Sequence, residues 1–415
     1  MVAVYHMQME YSKQMAILDH WRAGIFFALA LAAIAYAASI NSAGAYPELA
    51  TLTQGVSSFK ELSDKFTAIA QKKGGVYAYA VLRSAELPGG TDLHLLGHVV
   101  GDELYKQKGV EGIADCTQEF RNACSHTIVI GTLQEYGASE QALSLIDESC
   151  KQAPGGSGAY TMCYHGLGHG VFAYFGYDLE KTADFCRRMG TAAYHNEQYT
   201  QCVGGAIMEL MGGGGHDPEL WQAARGRYLT EDPLSPCNSG VVPEETKLFC
   251  YIYLTPELFV RAGTNLGRPD PGVFPQAFAF CDAVPEARDR EACYGGFGKE
   301  FVPLAAARDI RGIDQMSDTA YQKVANWCML AGAPDGKKAC IEQALEAVFW
   351  GGENDPTASL RFCGVVPSSV QESCYGRLAD NIQRYTAGER RMELCRELPP
   401  PFHAACTSGA PVDHE

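Results

Sequence analysis

The chain has 415 residues, 47% hydrophobic and 20% charged, with 33 basic against 49 acidic side chains and a net charge of −16. That composition excludes intrinsic disorder. It also excludes nucleic acid as a partner, because phosphate binding needs a basic face and the chain has no Lys/Arg run. Length alone suggests two or three domains.

The first element is residues 23–47, AGIFFALALAAIAYAASINSAGAYP, which carry no charge. The run is long enough to cross a bilayer as a helix, which takes about 20 apolar residues. It is equally acceptable as a secretory segment with Ala43-Gly44-Ala45 as the cleavage site. Residues 1–45 are therefore expected to be a signal peptide or a signal anchor, with membrane contact through residues 23–45 if uncleaved. Both readings deliver the rest of the chain to the periplasm or cell surface.

From residue 46 the chain repeats. The 16 cysteines fall in consecutive pairs, with gaps of 8–16 residues within pairs and 21–35 between them, and short and long gaps alternate throughout. Such self-similarity is the signature of a repeat architecture. Segments before the first cysteine have helical spacing, as in SEQALSLIDESC (139–150). Segments after the second do too, as in CVGGAIMELM (202–211) and CIEQALEAVFW (340–350). Between paired cysteines stand turn residues such as Pro154-Gly155-Gly156, Pro243, Pro285, Pro334 and Pro367.

Each unit thus reads helix A, cysteine, turn, cysteine, helix B. A disulfide at the turn meets the Cα separation such bonds require, about 4.4–6.8 Å, and an extracytoplasmic compartment permits the oxidation. The rival reading, zinc thiolates, expects C-x2-C knuckles, and the sequence has none. A cysteine-free unit precedes the others, with helix A over 57–72 and helix B from Asp92.

The expected fold is all-α: an α-solenoid of eight to nine disulfide-stapled helical hairpins after one N-terminal membrane segment. Residues 46–211 form N-terminal repeats, 212–236 a Gly/Pro-rich connection acting as a hinge, and 237–415 C-terminal repeats with a cap at Cys395–Cys406. In plan alone the chain resembles secreted Sel1-like helical repeats. No residue is carried over from that likeness.

Histidines mark one end of the array. Counting from the second cysteine, or from Asp92 in the first unit, His94, His126 and His165 stand at +2, and His98 and His169 at +6. Spacing i, i+4 puts two imidazoles on one helix face, and neighbouring helices lie about 8–10 Å apart. Imidazoles from adjacent units then meet at one ion, as His94/His98/His126, as His126/His165/His169, or as one five-residue pocket. Neutral imidazoles suit transition metals, here Zn, Cu or Fe.

Asp102, Glu103 and Glu135 lie close in sequence. Glu209, Glu257 and Glu300 share position +7, either as a carboxylate ladder or as helix-stabilising residues. Gly97, Gly166, Gly168 and Gly170 permit close helix approach. His195 is a candidate to fold over the cluster, and His216 reads as a loop residue.

The expected function is that of an extracytoplasmic binding or accessory protein holding a metal, with a protein partner in its groove. The alternatives are a metal-dependent hydrolase or oxidase at the same cluster, and a metal-free scaffold whose histidines form a hydrogen-bonded ladder or a pH-responsive surface. The chain has no G-x-S-x-G elbow, P-loop, H-E-x-x-H or C-x-x-C-H motif.

Overall fold

The computed structural model describes residues 46–88, 91–117, 120, 123–153, 156–191, 196–212, 218–351, 356–386 and 388–408. Among these the chain is predominantly helical and forms no strand. The first half contains α1 (Phe59–Lys73), α2 (Gly75–Ser84), α3 (Leu93–Lys108), α4 (Ala123–Tyr136), α5 (Glu140–Cys150), α6 (Gly156–Tyr174), α7 (Leu179–Cys186) and α8 (Glu197–Gly212). Then come α9 (Pro218–Tyr228), α10 (Lys247–Tyr253), α11 (Thr255–Arg261), α12 (Phe274–Ala279), α13 (Ala287–Ala305) and α14 (Asp318–Cys328). The last are α15 (Pro334–Gly351), α16 (Pro356–Val365), α17 (Ser368–Tyr385), α18 (Gly388–Glu397) and α19 (His403–Thr407).

Local chemistry sets the helix starts. Ser58, Asp92, Ser139, Asp178 and Ser317 each accept a hydrogen bond from a backbone N–H in the first turn of the helix that follows. Such caps stabilise by about 1 kcal/mol each. Pro256, which has no N–H to donate, separates α10 from α11 and stands at the start of the latter.

All eight disulfides join consecutive cysteines, from Cys116–Cys124 to Cys395–Cys406, with Cα separations of 5.4–5.7 Å. The staple does not close a bare turn, however. Cys163, Cys202, Cys293, Cys340 and Cys374 lie inside their helices, which begin several residues earlier. Two further details depart from the sequence reading. The front unit contains the additional helix α2, and the 212–236 connection includes α9.

The second helices of successive units pack in chain order, α3 on α4, then α6, α8, α10, α13, α15, α17 and α19. Glycine permits the close approach. A Cβ on Gly168 would lie 1.8 Å from the Cys202 carbonyl oxygen, and one on Gly298 1.9 Å from that of Cys340. Both glycines stand five residues after a second cysteine and rest on the second cysteine of the next unit. The apolar core is continuous through the described chain. In the second half it is aromatic, with Phe278 and Phe297 ring centroids 4.2 Å apart and Phe259, Phe274, Phe301 and Trp327 around them.

Eight disulfides without a free cysteine mark an oxidising, extracytoplasmic setting. Among the described residues no helix is long and apolar enough to cross a membrane. The proposed membrane segment at 23–45 lies outside them.

Candidate metal centre

The Asp92 cap accepts from the Leu95 N–H at 3.0 Å and starts α3, so His94 and His98 fall on one face of its first two turns. His94 Nδ1 donates to the Phe120 carbonyl at 2.7 Å. Phe120 takes a left-handed conformation, φ 57°, to present that carbonyl. A carbonyl only accepts, so the proton sits on Nδ1 and Nε2 keeps its lone pair. Nε2 stands 3.1 Å from His98 Nε2.

His126, on α4, is the hub. Its ring lies 5.4 Å from His94, 5.8 Å from His98, 5.9 Å from His165 and 5.1 Å from His169, centroid to centroid. Gly166 makes room for it, since a Cβ there would meet His126 Cδ2 at 2.3 Å. His126 is 1% exposed, and neither ring nitrogen has a hydrogen-bond partner. One ligand atom each from His94, His98 and His126 all lie within 4.8 Å of one another.

On α6, His169 Nδ1 donates to Glu209 Oε2 at 2.9 Å, both side chains being buried. Its Nε2 is buried without a partner. His165 Nε2 stands 3.3 Å from Met208 Sδ, and its ring 5.7 Å from Tyr253. Burial, followed by the influence of His169, holds both His126 and His165 well below the usual imidazole range. Both are neutral at pH 7, the state in which imidazole binds metals.

Beside the cluster lies a cleft of about 190 Å³, which His126 and His165 do not line. Its lining includes His94, His98, His169 and Met208 together with Tyr253, Lys299, Glu300 and Arg308. Lys299 pairs with Glu300 and lies over the Tyr253 ring, 4.9 Å from its centroid. One repeat position recurs along the cleft: His98, His169, Met208, Pro256 and Lys299 all stand at +6 in their units, and all line it.

The five predicted histidines are thus brought together. Glu209 and Glu300 reach the cleft, whereas Glu257 is held by Arg225 at 3.3 Å and Arg261 at 2.7 Å. The three nearby carboxylates are engaged elsewhere or outside the lining. Glu103 binds Lys106 at 2.6 Å and Glu135 accepts from Tyr105 at 2.7 Å. Asp102 reaches solvent, yet the protein packed around it pushes its carboxyl up to about 6. His195 and His216 lie outside the described residues. Sequence reasoning did not assign Met208, Tyr253, Lys299 or Arg308 to the site. For Met208 and Lys299 the signal was present, because they occupy the histidine position +6 of later units.

No family model, curated protein or solved structure matches this chain.

Proposed function

We propose that the protein is an extracytoplasmic α-solenoid, anchored through residues 23–45 where that segment is retained, that binds a transition metal at His94, His98 and His126. The observation carrying this reading is the convergence of three imidazole donor atoms within 4.8 Å, one of them on a buried ring with no hydrogen-bond partner. Leaving a buried polar group unpaired costs about 1–3 kcal/mol, and a bound ion removes that cost. The His94–Phe120 bond supplies the outer support that metal-bound imidazoles usually have.

A closed structural site would use four protein ligands. Here His94 and His98 border an open cleft that Tyr253, Lys299, Glu300 and Arg308 also line. That lining favours a metal presented to a small molecule, the arrangement of a metal-dependent hydrolase or oxidase, as the second reading. A metal-free scaffold would instead have satisfied the His126 nitrogens with partners.

Elemental analysis of protein folded in an oxidising compartment and loaded with zinc tests the proposal. The expected result is about one ion per chain at this site, lost in a His94→Ala/His126→Ala variant. Zinc below about 0.2 per chain in the wild type would overturn it.

A further inference from the structure

We propose a second, softer metal site beside the first, formed by His165 Nε2, His169 Nε2 and Met208 Sδ and selective for Cu(I). The inference rests on reading the histidine cluster as a metal centre but uses different donors. It begins with the contact of His165 Nε2 and Met208 Sδ at 3.3 Å. A thioether is a weak hydrogen-bond acceptor, so hydrogen bonding gives little reason for a buried imidazole to face it. Coordination does. Bonds of about 2.0 Å to nitrogen and about 2.3 Å to sulfur, at a tetrahedral angle, place the two donors about 3.5 Å apart.

The second histidine fits the same point. His165 and His169 ring centroids are 5.1 Å apart. Two imidazoles sharing one ion at that angle, with bonds of about 2.0 Å, bring their centroids to about 5 Å. Glu209 fixes the His169 proton on Nδ1 and leaves Nε2 buried and unpartnered. A carboxylate behind a histidine is the usual outer support of a metal ligand.

Sulfur decides the metal. A neutral thioether is a soft donor that suits Cu(I), whereas zinc takes its sulfur as thiolate. All sixteen cysteines are in disulfides, so the chain offers no thiolate. In an oxidising compartment a methionine supplies soft sulfur without being consumed in a disulfide. Met208 does so at a repeat position that in the first and third units holds His98 and His169.

The test uses the full chain, titrated anaerobically with Cu(I) against the chelator bicinchoninate and separately with zinc. Met208→Leu nearly conserves volume and keeps the packing. It is expected to weaken Cu(I) binding about tenfold or more and to leave zinc binding within about twofold. X-ray absorption of the Cu(I) form is expected to show a sulfur neighbour at about 2.3 Å, lost in Met208→Leu. His94→Ala/His98→Ala is expected to abolish zinc binding and retain Cu(I). That pattern separates the two sites, since zinc failing in the wild type with Met208-dependent Cu(I) intact would sink the first site and support the second. Unchanged Cu(I) affinity in Met208→Leu, or copper with nitrogen neighbours alone, overturns the proposal. A His165→Gln variant gives an independent check and is expected to lose Cu(I) as Met208→Leu does.

Discussion

The same repeat positions are used in opposite ways in α4 and in α15. In α15 positions +2 and +6 hold Glu342 and Glu346, which reach the next helix. Glu342 accepts from Ser373, and Glu346 binds Arg377 at 2.6 Å and the Trp350 indole at 3.2 Å. In α4 position +2 holds His126, buried as deeply as the core and with no partner for either nitrogen. Buried polar groups in native proteins are nearly always satisfied. At these two positions α15 obeys that rule with ion pairs and hydrogen bonds, and α4 breaks it at +2, where donor atoms converge. An unsatisfied group retained in a packed core points to function, since stability alone would remove it.

Four predictions test this contrast. The staples should not distinguish the two regions. Cys150→Ala/Cys163→Ala and Cys328→Ala/Cys340→Ala open loops with sequence separations of 13 and 12, and each is expected to cost about 3 kcal/mol by chemical denaturation. A loss confined to one pair would show that the units do not share one stabilising plan.

The polar positions should distinguish them. Arg377→Met leaves the mostly buried Glu346 carboxylate without its cation, at an expected cost of about 1–3 kcal/mol in unfolding free energy measured with urea.

Acid should act through the histidines. His126 and His165 have folded pKa values below their unfolded value near 6.5, so below that pH the unfolded chain binds more protons and stability falls as pH falls. For chelator-treated protein the expected slope is about 1.4 kcal/mol per pH unit for each imidazole. It should flatten above about pH 7 and halve in a His126→Leu variant. A slope unchanged by His126→Leu would place the acid sensitivity elsewhere.

The smallest effect is the most diagnostic. In metal-free protein His126→Leu is expected to change stability by less than about 1 kcal/mol or to raise it, because no hydrogen bond is lost. A loss of several kcal/mol would mean that His126 is a structural residue, and the contrast with α15 would collapse.

Much of the architecture is legible in the sequence. Alternating cysteine gaps gave the pairing, and period-3.6 patterning gave the helices. Helix α2 and the early starts of the second helices were not legible, because short Gly- and Pro-containing stretches read as turns until packing makes them helical. The five histidines were found because their positions repeat. The His94/His98/His126 set was among the groupings the spacing allowed, whereas the approach of Met208 to His165 was not legible.

Sequence alone therefore determined the helical hairpins, their staples and the oxidising compartment. All three follow from chemistry within one unit, where partners are a short loop apart. Tertiary structure decided the rest. It set α6 against α8 so that Glu209 locks His169 and Met208 faces His165, and it brought Lys299 and Arg308 to the histidine cleft. Those partners are distant in the chain, and only the close glycine-mediated stacking of successive helices fixes which side chains share one small space.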